Sequence, residues 1–177
     1  MMVLDNIKVD QFFKLDNADK FGIYFNTLKE RNLFRGVVMN PNELSYSDIL
    51  VLRESLTDVS IESYFTIYKI CYNQEPEEFL KGTILEFIQS NRYIINHLKQ
   101  LAHRESQLLE HEPDPKWEAA GGERMSVFGG KATLIQLGEQ FGKSPREIGD
   151  WKYSEVLMVM IYNNRLQSIM KLYNKAK

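Results

Sequence analysis

One cysteine, Cys71, is all the thiol chemistry that 177 residues contain. A lone cysteine excludes an internal disulfide framework and fits a reducing compartment. Long apolar runs are missing too. No stretch of about 18 apolar residues occurs, so no membrane-spanning helix is expected. The opening Met-Met-Val-Leu-Asp-Asn-Ile-Lys lacks a basic segment followed by a long apolar one, so no signal peptide is read. Charge of neither sign is in excess: 22 basic against 24 acidic residues leave −2. That balance gives no strong electrostatic attraction to nucleic acid or anionic lipid.

Metal and catalytic patterns are also wanting. His97, His103 and His111 do not stand four residues apart, the spacing that puts two imidazoles on one helical face. They read as helix-surface residues. Gly129-Gly130-Lys131-Ala132-Thr133 has the look of a phosphate loop's end. The loop needs an earlier glycine where Met125 stands, and Ser or Thr where Ala132 stands. No apolar strand precedes it. The acid pairs Glu77-Glu78 and Glu110/Glu112 read as a helix start and a solvated helix end. Cys71, between Ile70 and Tyr72, reads as a small buried hydrophobe. No catalytic, cofactor-binding or metal-binding residue is assigned, and no enzyme is expected.

What the chain does have is helical periodicity, with 44% hydrophobic residues to fill a core. Val3, Ile7, Val9 and Phe12-Phe13 suit a short β element near the N-terminus. Phe21, Phe25, Leu28 and Leu33 have loose helical spacing after Asp19. Ser45 or Ser47 suits the cap of a helix carrying Ile49, Leu52 and Leu56. Thr57-Asp58 or Ser60 starts another, with Ile61, Tyr64, Phe65, Tyr68 and Tyr72, which stops near Asn73. Glu75-Pro76-Glu77-Glu78 opens a long helix, because proline and acids suit a first turn. Leu80, Ile84, Phe87, Ile94, Leu98, Leu101 and Leu108 carry it to about residue 112. Pro113-Asp114-Pro115 ends it. Beyond lie a short helical turn from Trp117, a helix from Lys131 to Phe141, and the capping box Ser144-Pro145-Arg146-Glu147. A final apolar helix runs from Tyr153 to Lys175. The expected fold is mainly α: a helical bundle with one long helix over 75–112 and a C-terminal multi-helix lobe. Its divisions are an N-terminal helical or α+β lobe (1–73), a connecting helix (74–112) and a C-terminal lobe (113–177).

Leu134–Trp151 also suggests a helix-turn-helix. Its second helix would offer base edges only Arg146, beside Glu147, Gly149 and Asp150, so DNA binding is the alternative and not the main reading.

Within Trp117–Asn163, Leu134-Ile135-Gln136-Leu137 leads to Phe141-Gly142. Ser144-Pro145-Arg146-Glu147-Ile148 follows, then Trp151, Tyr153 and Val156. This pattern, over about a quarter of the chain, resembles the C-terminal helical region of tail assembly chaperones of long-tailed bacteriophages. The resemblance implies a protein that works without cofactor or nucleotide. It would bind a tape-measure protein and tail-tube subunits through apolar helical surfaces, as a homo-oligomer in the bacterial host cytoplasm or in the virion. A virion structural or connector protein is a neighbouring expectation. Candidate partner-binding residues are Trp117, Phe128, Trp151, Tyr153, Met158, Met160, Tyr162, Met170 and Tyr173. Methionine adapts to irregular partners. The competing reading makes these residues ordinary core.

Overall fold

Residues 6–15, 26–58, 60–109 and 115–175 are described by the structure, a computed structural model. The helices are α1 (Val9–Phe12), α2 (Tyr46–Ser55), α3 (Ile61–Tyr72), α4 (Pro76–Leu80), α5 (Ile84–Leu108), α6 (Pro115–Ala119), α7 (Gly130–Phe141), α8 (Pro145–Gly149) and α9 (Tyr153–Lys175). Two 3-10 segments, Pro41–Glu43 and Gly122–Phe128, join them. The mainly α expectation holds: among the described residues only isolated β-bridges occur, and no strand. None of these helices is long and apolar enough to cross a membrane. Packing divides the chain into two units, residues 1–41 with 51–101 and residues 42–50 with 102–177. The division falls inside α2 and α5.

The first unit is built on aromatic rings. Tyr68 of α3 sits 4.5 Å from Phe34 and 4.6 Å from Phe79, centroid to centroid, and also meets Tyr72 and Phe87. Its hydroxyl is buried with the ring, where an unpaired polar group would be costly. It donates to the Phe87 carbonyl at 3.1 Å and shares a 2.7 Å bond with Ser90 Oγ. Burial pushes the phenol well above its ordinary range, so it stays neutral. Ser60 caps α3 by accepting from Ser63 N, and Asn73 ends it in the left-handed region at φ +50°. Both ends fall where the sequence places them.

Two expectations need correction here. Val9–Phe12 forms one helical turn and not a strand; the β character is reduced to a bridge between Lys8 and Thr83. The expected helix 75–112 forms in two pieces, α4 and α5. Val9 N donates to the Gly82 carbonyl, and Ile84 N to the Ile7 carbonyl, so the N-terminal segment takes up groups a continuous helix would need. Thr83 then starts α5 afresh: its hydroxyl accepts from Glu86 N, and Glu86 Oε2 accepts from Thr83 N. That reciprocal cap restores the backbone bonds lost at the break. Residues 110–112 and the helical spacing proposed over Phe21 and Phe25 lie outside the described residues.

The second unit turns on a pairing between distant segments. Tyr46 N donates to the Trp151 carbonyl at 2.9 Å, and Tyr153 N donates to the Leu44 carbonyl at 3.0 Å. Between them Ser45 and Lys152 form an antiparallel bridge. The Tyr46 and Tyr153 rings stack with planes 7° apart. Ser45 accepts from Asp48 N and caps α2. In α8, Ser144 accepts from Glu147 N while Glu147 Oε2 accepts from Ser144 N, with Pro145 in the first turn. This is the expected capping box. Gly138 permits the tight return before it: Lys143 N bonds the Gly138 carbonyl, and a Cβ there would stand 2.7 Å from the Lys143 carbonyl oxygen.

Two outcomes are expected. Gly82→Ala would drive a methyl group into the fully buried Phe34 ring, within 2.8 Å of its Cε2. Overpacking of this kind costs about 1–3 kcal/mol, to be read as a lowered midpoint in urea denaturation. The second concerns acid. Bonds from Ser144 N and Oγ hold the Glu147 carboxyl below its ordinary range. A lowered folded pKa stabilises above the unfolded value and is lost as pH falls through the folded one. Parent and Glu147→Gln should therefore differ in stability at neutral pH and converge in acid, measured by denaturation at a series of pH values.

Candidate functional site

Among the described residues no three His, Cys, Asp or Glu side chains gather as a metal site. Cys71 is buried, as its apolar neighbours in sequence indicate. A shallow apolar pocket of about 300 Å³ in the first unit is lined by Phe13, Ile61 and Leu80, with Asp10 and Lys14 at its edge. Those two edge residues are 3.6 Å apart as an exposed ion pair, and they bring no chemistry to the pocket. Among the described residues, a run of exposed large apolar side chains lies in the second unit, on α9.

The start of α9 is firmly held. Tyr153 is 6% exposed and Val156 fully buried. Tyr153 Oη donates to Glu105 at 2.7 Å, and its ring stacks on Tyr46. Lys152 pairs with Glu43, whose hydrogen bond raises the ammonium above its ordinary range. That ion pair is exposed and adds little. Trp151 is half-buried, edge-on to Phe141 at 5.2 Å. About two turns past Val156, Asn163 exchanges side-chain amide bonds with Gln140 of α7.

Every residue from 165 to 174 is exposed. Exposure alone would be ordinary for polar residues, but here one side is apolar. Met158, Tyr162, Leu166, Ile169, Met170, Leu172 and Tyr173 are 43–71% exposed. At about 100° per residue they fall within an arc of about 160°, which also takes in the exposed Glu155 and Arg165. Tyr153 and Val156 face the other way. The helix side that would continue their direction carries Asn164, Gln167, Ser168, Lys171 and Asn174. So α9 is amphipathic twice over: its beginning buries one face in its own unit, and its length presents the opposite face to solvent.

The residues proposed from the sequence thus separate. Met158, Tyr162, Met170 and Tyr173 share the exposed face. Met160 is half-buried on the inward side. Tyr153 is a packing residue, and Trp151 braces Phe141. Phe128 is 45% exposed at the end of the 3-10 segment, away from α9 in sequence and beside exposed Val127 and Met125. Trp117 lies on α6, and its side chain falls outside the described set. Leu166, Ile169 and Leu172 complete the face and are not among the residues proposed from the sequence. Leu166 and Ile169 are signalled by the 3- and 4-residue stepping of 162, 166, 169 and 173, and Leu172 stands three residues past Ile169.

The helix-turn-helix expectation can be placed as well. α7 and α8 are joined through Gly142 and Lys143, but α8 has five residues, of which Arg146 is the one cation. Compared with protein-family models, curated proteins and solved structures, the chain matches none.

Proposed function

We propose that this chain is a non-enzymatic, protein-binding assembly factor of the tail-assembly-chaperone kind. Its task would be to shield an apolar helix of a tape-measure-type client and bring it to tube-type subunits. One observation carries the reading: an apolar face four turns long on α9, exposed to solvent. A helix laid against such a face buries anchors at i, i+3, i+4 and i+7, the groove-and-helix mode of recognition. Met158 and Met170 add side chains that adapt to uneven surfaces. A structural or connector role in a virion would draw on the same face.

DNA binding has less support. A five-residue helix spans about 7.5 Å and cannot lie along a major groove with several side chains on base edges.

The test is calorimetric titration of the full chain with a helical tape-measure fragment, alongside titration with a DNA duplex at two salt concentrations. Binding of the fragment is expected, and Tyr162→Ala should weaken it at least about 10-fold, as loss of an aromatic anchor does. No fragment binding, or DNA affinity falling steeply with salt, overturns the proposal.

A further inference from the structure

We infer that the exposed face of α9 is closed by α9 of a second copy of this chain, in an antiparallel pair. The argument uses the surface on which the proposed function rests, and begins from area. Seven large apolar side chains, each about half exposed or more, offer on the order of 800 Å². A stable interface needs about 800 Å² from each partner, whereas the largest apolar patch on a typical monomer is about 300–600 Å². Two α9 faces therefore meet the requirement of a dimer without help from any other surface.

The register agrees. Leu166 and Tyr173 take the a positions of a heptad, and Tyr162 and Ile169 the d positions. Met158 and Leu172 fall at g and Met170 at e, which widens the seam. Positions b, c and f from 164 to 174 are Asn164, Gln167, Ser168, Lys171 and Asn174, all polar. The pattern fits a helix covered on one side and wet on the other.

Orientation follows from the macrodipole. Side-by-side helices of 23 residues repel when parallel and attract when antiparallel. In the antiparallel seam a pairs with d, so Leu166 lies against the second copy's Ile169 and Tyr162 against its Tyr173. Arg165 at g, the one charged flank residue among the described residues 158–175, then meets the second copy's Leu172. Client and second copy compete for one face, so loading a client opens the dimer.

Sedimentation equilibrium of the full chain, over micromolar concentrations, tests the inference. A species of twice the 20.8 kDa chain mass is expected. Leu166→Glu should raise the dissociation constant at least about 30-fold, as loss of a central anchor does. Leu166 is already solvent-facing in the single chain, so far-UV circular dichroism should stay helical. Ser168→Glu, on the polar side, should leave the dimer intact. Mixing Tyr162→Cys with Tyr173→Cys chains under mild oxidation should give a cross-linked dimer that neither variant gives alone. A concentration-independent monomer overturns the inference, as does a cross-link in Tyr162→Cys alone, which requires parallel helices. The two readings fail separately. A dimer that ignores the tape-measure fragment sinks the client proposal and keeps the pair, while a monomer that binds the fragment does the reverse.

Discussion

The backbone pairing of Leu44–Tyr46 with Trp151–Tyr153 is the constraint from which the exposed face of α9 follows. Two hydrogen bonds and one stacked tyrosine pair join segments more than a hundred residues apart and set the direction in which α9 leaves. Once Tyr153 and Val156 are buried, helical geometry decides the rest. Residues near 158, 162, 166, 169 and 173 must emerge on the far side, whatever their chemistry. A polar set there would have made α9 an ordinary capping helix. Instead that far side is apolar. The polar residues occupy the side that points back along the unit, the reverse of what a helix docked over its whole length requires.

The first unit answers a different need. Its rings meet at 4.5–6 Å and mostly edge-on or tilted, the geometry in which quadrupoles attract. Tyr68 carries a polar atom into the middle of these rings, and its hydroxyl is satisfied by a carbonyl and a serine within α5. That bond ties α3 to α5, since the hydroxyl reaches the same Phe87 carbonyl that Ser90 Oγ bonds. Among its described residues the unit shows no comparable exposed face.

Much of this was legible beforehand because caps are local. Ser60, Asn73 and Ser144-Pro145 act within four residues of themselves, so their chemistry can be read without knowing the fold. The break at Gly82–Thr83 was not legible. Apolar spacing runs through it unbroken from Leu80 to Ile84 and Phe87, and only the Val9 and Ile7 contacts, distant in sequence, show why the helix restarts. Thr83-x-x-Glu86 was the available signal, overshadowed by periodicity. The site was half legible for a related reason. Val156, Leu157, Val159, Met160 and Ile161 make the start of α9 apolar nearly all round, so the phase that separates core from surface is hidden there. It emerges only after Asn163, where Leu166, Ile169 and Tyr173 alternate with polar residues. Choosing methionines and tyrosines by residue type found four members of the face; following the phase finds seven.

An apolar face of this size is not stable in water on its own terms. At roughly 25 cal/mol per Å², covering about 800 Å² on each of two copies is worth far more than the residual charge of −2 can oppose, even after the large cost of association. The isolated chain therefore has a strong drive to be covered, and the occupant is set by mass action. A second copy is always at hand at the chain's own concentration. A client helix displaces it only by binding more tightly or being present in excess. A self-paired α9 would thus keep the face from indiscriminate contact, and release it to a partner whose anchors fit better than its own.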